Sequence, residues 1–128
     1  MISFKGNTGP YLQYATARIR SIFRRAGLDP ATVSGPIKLS EPPERALALR
    51  LLGFGTAVQQ AGAAAEPHLL ATYLFDVASS FTTFYEQCPV LNAPGPAARD
   101  TRLALSALTL RVLVTGLGLL GIPVPDRM

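Results

Sequence analysis

The placement of proline constrains this chain more than any other feature. Eleven prolines stand mostly singly or in tight groups, at positions 10, 30, 36, 42, 43, 67, 89, 94, 96, 123 and 125. Proline has no N–H and a fixed φ, so it fits the first turn of a helix or the stretch beyond its end, and not the interior. The segments between the prolines therefore read as separately bounded helices, and each carries apolar residues at helical rather than alternating spacing.

The first helix is expected from Pro10 to Ala26, with Gly27 as a left-handed cap. At about 100° per residue, Leu12, Ala15, Ile19, Ile22, Phe23 and Ala26 fall in one arc. A second helix is expected from Pro42 to Ala61, opened by Glu41 and Glu44, with Gly53 and Gly55 marking a bend or close packing. A third runs from Pro67 to Gln87, with Leu70, Tyr73, Leu74, Val77, Phe81, Phe84 and Tyr85 at helical spacing, and Pro89 stops it. The last, from Ala97 to Leu120, is apolar nearly all round, which makes it the central, most buried helix. No segment shows sustained period-2 alternation. The expected fold is all-α, a bundle of about four main helices, in a single domain over residues 1–128 with a lead-in over residues 1–9 and the bundle over residues 10–128.

The chain has 128 residues, 48% of them hydrophobic, which is enough for one packed core and too short for two domains. Its one cysteine, Cys88, excludes an internal disulfide. The first 15 residues lack an apolar run after a basic start, so no signal peptide is expected. The segment from Leu103 to Ile122 has the length of a membrane span, but Arg111 sits near its middle and glycines follow, which favours a core helix. These features imply a cytoplasmic protein with no membrane partner. Catalytic groups are scarce. His68 and Cys88 are each single and read as structural; neither GxxxxGK(S/T) nor a strand-flanked GxGxxG occurs; the eight acids are scattered. No catalytic residue, no metal and no cofactor is expected.

Charge is unevenly distributed. Residues 1–28 hold Lys5, Arg18, Arg20, Arg24 and Arg25 and no acid, whereas the other 100 residues hold seven basic and eight acidic groups. The positive character belongs to the first helix, where Tyr11, Tyr14, Arg18 and Arg25 lie on one flank, the first three spaced i, i+3 and i+7. Arg24 and Arg25 extend the positive surface, and Gln13, Arg20 and Arg24 face away from the core arc. Rings beside guanidinium groups suit unpaired RNA bases and their phosphates. The same spacing also fits tyrosines that pack the edge of the core and arginines that merely solvate the helix.

The segments SFKGNTGPYLQYATARIRSIFRRAG, PHLLATYLFDVASSFTTFYEQCPVL and RLALSALTLRVLVTGLGLLGIPVPDRM resemble, in order and over essentially the whole chain, the C-terminal anticodon-binding (DALR) domain of arginyl-tRNA synthetases. The resemblance implies a helical bundle that grips the anticodon stem-loop of arginine tRNA. It implies tRNA-contacting roles for Asn7, Tyr11, Tyr14, Arg18, Arg24, Tyr85 and Met128. Arginine codons have G in the middle, so the middle anticodon base is C, and a site reading it should offer acceptors to its amino group. Thr16 stands where many relatives have histidine. The ATP-handling signatures of the catalytic domain are absent from this sequence, so an enzyme is not expected of it alone. The resemblance leaves two readings: a non-catalytic tRNA-binding module, or a protein-interaction or self-association module that uses the surface normally covered by the catalytic domain.

Overall fold

The computed structural model describes residues 8–33 and 35–124. Among these residues, five helices pack around one continuous core: α1 (Thr8–Ala26), α2 (Pro42–Leu52), α3 (Phe54–Ala64), α4 (Pro67–Gln87) and α5 (Pro96–Leu119). A single 3₁₀ turn, Pro30–Thr32, interrupts the connection after α1. No strand occurs among the described residues. The architecture is the expected all-α bundle.

The expected helix from Pro42 to Ala61 is in fact two. Gly53 adopts φ −82°, ψ 0°, and the chain turns there. The Arg50 carbonyl accepts from the Gly53 N–H at 3.0 Å and from the Tyr73 hydroxyl of α4, so a tertiary side chain takes the place of the next helical turn. Burial pushes the Tyr73 hydroxyl up to about 12, against the opposing charge of Arg50. The lead-in is also shorter than expected, because Thr8 and Gly9 are buried and already helical. Residues 1–7 lie outside the described residues.

Helix ends follow local chemistry. At the end of α1, the Leu28 N–H bonds the Phe23 carbonyl at 3.1 Å and Gly27, at φ 71°, bonds Arg24 at 3.2 Å, a Schellman pair. The end of α3 closes the same way, from Glu66 to Ala61 and from Ala65 to Gly62, but the left-handed position holds an alanine at φ 54°. A Cβ is costly in that region. Ala65→Gly is therefore expected to stabilise the fold by about 0.5–1 kcal/mol, read as a rise in the denaturant midpoint at unchanged slope.

The core joins Leu12, Ile19 and Phe23 of α1, Leu47 of α2, Leu74, Phe81 and Phe84 of α4, and Leu105, Leu113 and Leu117 of α5. By length and composition α5 could cross a membrane, yet 61% of its most apolar window is buried inside the bundle, and Arg111 is on its exposed side. It is the most buried helix, as expected, but the central position belongs to α4, which packs against all four others. Close approach of α4 and α5 depends on Gly116, where an added Cβ would stand 2.6 Å from both Leu74 methyl carbons. Leu74 is fully buried and has little room to move. Gly116→Ala should therefore destabilise the domain by about 1–3 kcal/mol despite alanine's better helix propensity, and lower its melting temperature.

The N-terminus of α2 is more than a charge on a helix dipole. Glu44 is 1% exposed. One carboxylate oxygen accepts from the Ser40 N–H at 2.8 Å, the Ser40 hydroxyl at 3.2 Å and the Glu41 N–H at 3.1 Å. The other accepts from Arg102 Nε of α5 at 2.8 Å, and Arg102 Nη1 reaches the Pro89 carbonyl at 2.9 Å. This buried pair ties the α2 start, the α4–α5 loop and α5 together. Cys88, the buried thiol expected from its place before Pro89, sits beside it, and burial raises its pKa.

Candidate nucleic-acid interface

The face begins with helix geometry. Residues 11, 18 and 25 are two turns apart and share nearly one azimuth, with Tyr14 about 40° away. This stripe of α1 runs beside α4. Tyr11, near its start, is half-buried and its ring lies 5.0 Å from that of Phe75, at 34°. For Tyr11 the core-edge reading of the sequence is therefore right. Tyr14 is 61% exposed, with its ring open to solvent.

Farther along, α1 and α4 meet at Tyr85. The Arg18 guanidinium carbon lies 5.8 Å from the Tyr85 ring centroid, within cation–π range. Arg25 Nη2 donates to the Tyr85 hydroxyl at 3.3 Å. Beneath, the Tyr85 ring stacks on Phe81, with centroids 6.0 Å apart and planes 21° from parallel. Phe81 is fully buried and touches Phe84, so the half-buried Tyr85 ring rests on a rigid base. Each guanidinium has five N–H donors, and one contact to Tyr85 leaves most of them available to phosphate oxygens.

Arg25 and Tyr85 also border a cleft of about 250 Å³, completed by Ile22, Pro89, Val90, Leu91 and Asn92. Its floor is apolar. Its rim carries a ring, a guanidinium and the Asn92 amide, which offers both a donor and an acceptor. The space is smaller than a typical small-molecule site of about 300–1,000 Å³ and has room for a planar base.

The structure thus gathers Tyr85 with Arg18 on one face and sets Tyr11 and Tyr14 along its approach. Arg24 is exposed but lies about 100° round the helix from Arg25. Asn7 and Met128 lie outside the described residues. Two contributors were missed as site residues, Arg25 and Asn92. Arg25 is seven residues past Arg18, so its position on the stripe was legible; Asn92 is brought in by a loop and left no such signal. Thr16 is fully buried, and its hydroxyl donates to the Gln13 carbonyl at 2.7 Å, which keeps it from any ligand. His68 is exposed, with Nε2 at 3.1 Å from Glu66 Oε2. No group of three or more His, Cys, Asp or Glu is placed to hold a metal among the described residues.

The site is thus an arginine- and tyrosine-lined face on a helical bundle, a surface chemistry suited to RNA. The family model for the DALR anticodon binding domain matches residues 12–128. The arginine–tRNA ligase of Thermobifida fusca (strain YX) is 62% identical over 128 residues, which are all of this chain and 22% of that protein. The solved Thermus thermophilus arginyl-tRNA synthetase superposes with a TM-score of 0.84 at 46% identity, over 98% of this chain and 22% of that one. The Plasmodium falciparum enzyme gives 0.83 at 34% identity, over 97% and 22%. The chain belongs to the DALR anticodon-binding domain family, and these relatives are arginyl-tRNA synthetases. It spans about a fifth of their length. The catalytic domain is not within these 128 residues, which are not a ligase by themselves.

Proposed function

We propose that the α1–α4 face holds the anticodon stem-loop of an arginine tRNA. The observation that carries this reading is Tyr85, set between Arg18 and Arg25 at the mouth of a base-sized cleft. An unstacked base enters the cleft beside the half-buried Tyr85 ring while the guanidiniums take the flanking phosphates. The contact set is Asn7, Tyr11, Tyr14, Arg18, Arg24, Tyr85 and Met128, with Arg25 and Asn92 added. Tyr11 has the smallest part, because its ring is already held by Phe75. The module acts as one domain over residues 1–128, in the cytoplasm where tRNA is charged.

The test is a titration with arginine tRNA and with the same tRNA altered at its middle anticodon base, at two salt concentrations. About three phosphate contacts to unpaired RNA predict a log K that falls by about two per log unit of salt. Tighter binding of the unaltered tRNA supports anticodon reading, and equal affinity for both sinks it.

A protein-interaction role has its own support. Leu49 is 70% exposed and Leu69 is 39% exposed, and they border two adjoining grooves that share Gly53 and Tyr73. An open apolar surface of this kind suits another protein surface, such as the catalytic body of a synthetase or a second copy. Light scattering of the wild type and of Leu49→Glu distinguishes self-association there from a monomer.

A further inference from the structure

Two arginines take no part in the face described above. Arg20 points to the other side of α1, about 200° from Arg18, and Arg111 stands on the exposed side of the apolar C-terminal half of α5. The fold brings them to one cleft of about 260 Å³ between α1 and α5, with Ala107, Leu110 and Val114 along α5 and Asp29 and the first residues of the 3₁₀ turn at its end. Arg20 Nε is shielded from solvent and has no hydrogen-bond partner among the described residues. The Arg20 side chain as a whole is only half-buried and lines the cleft, and no acceptor among those residues holds its guanidinium through Nε. Asp29 does not fill that role through Oδ1, which accepts from the Ala31 N–H at 2.9 Å.

We propose that this cleft is a docking site for a protein segment that carries a carboxylate beside aliphatic side chains. The carboxylate sits between the Arg20 and Arg111 guanidiniums, each of which can bind it in a fork. The aliphatic neighbour covers Leu110 and Val114. Charge complementarity selects the sign of the occupant, and the apolar floor selects its class. A phosphodiester set on alkyl groups would leave oxygens without water or donors, whereas an acidic, leucine-bearing peptide satisfies both halves of the cleft. The cleft also lies across α1 from Tyr85, so this proposal does not rest on the tRNA reading.

The probe is a short, capped, fluorescein-labelled peptide built of leucine and glutamate, measured by fluorescence anisotropy against the full chain. Binding is expected for this peptide and at least tenfold weaker binding for its leucine–glutamine counterpart. Arg20→Gln and Arg111→Gln are each expected to weaken the acidic peptide about tenfold or more, as loss of a charge-assisted fork does. Arg45→Gln, on the exposed side of α2, is expected to leave it unchanged. Thermal unfolding confirms that these surface variants remain folded. Three results would overturn the proposal: no binding of the acidic peptide, equal binding of the glutamine peptide, or no effect of either cleft substitution. Displacement of the peptide by poly(U), with poly(U) binding lost in the same two variants, would reassign the cleft to RNA backbone.

Discussion

Arg102→Met is expected to destabilise the domain by about 3–5 kcal/mol, because it leaves the Glu44 carboxylate buried without its counter-charge. Chemical denaturation read by helical ellipticity checks this. Glu44→Gln should fall short of that loss, since an amide oxygen still accepts from Ser40 and Glu41 while its amide group meets Arg102 poorly. The double replacement Glu44→Leu with Arg102→Met should be milder than the sum of the singles, since apolar groups that fill the same space leave no orphaned charge. A sum that is simply additive would show that the two residues act independently.

The same pair sets an acid limit. Burial by itself raises the Glu44 pKa, but the hydrogen bonds from Ser40 and Glu41 and the Arg102 guanidinium outweigh it, and the carboxyl ends below its ordinary value of 4.5. A carboxyl whose folded pKa is depressed binds its proton more readily when unfolded. Its contribution to stability is therefore full above about pH 4.5 and is lost as pH falls through the folded value. In Glu44→Gln this part of the acid unfolding profile should flatten.

Tyr85→Ala carries the largest expected effect on RNA binding. Loss of one base-stacking ring costs about 1–3 kcal/mol, a weakening of about five- to 150-fold, and also removes the partner that orients Arg18 and Arg25. Tyr85→Phe keeps the ring on Phe81 and should retain most of the affinity. The double variant Tyr14→Ala with Arg18→Ala should weaken arginine tRNA binding while leaving thermal unfolding nearly unchanged, since both side chains are exposed and lie beside the core stripe. It should also reduce the salt dependence, because one phosphate contact is gone. A loss of helicity in that variant would mean that these residues hold the bundle rather than the ligand.

Much of this is legible in the sequence. Prolines and glycines bounded helices to within a few residues, because their backbone restrictions act locally: Pro67 opens α4 and Gly27 closes α1 whatever surrounds them. The apolar spacing placed Leu12, Ile19, Leu74 and Leu117 in the core for the same reason, a fixed helical period. The tyrosine–arginine stripe was visible as far as the period reached. Gly53 was legible as a place of bending or close packing, but not that the helix ends there, because the residue that completes the Arg50 carbonyl, Tyr73, is twenty-three positions away.

What the sequence determined by itself, then, is where helices start and stop, which face of each is apolar, and that positive charge is concentrated on the first. Each is a property of neighbours along one chain segment. The tertiary structure alone decided which side chains meet. It turned Glu44 from a helix-end charge into half of a buried ion pair with Arg102. It set Tyr85 of α4 between two arginines of α1, gave Tyr11 to Phe75, and joined Arg20 to Arg111. Those pairings depend on how helices remote in sequence cross, and a crossing is chosen by the packing of the whole core, as at Gly116 against Leu74, rather than by any single helix.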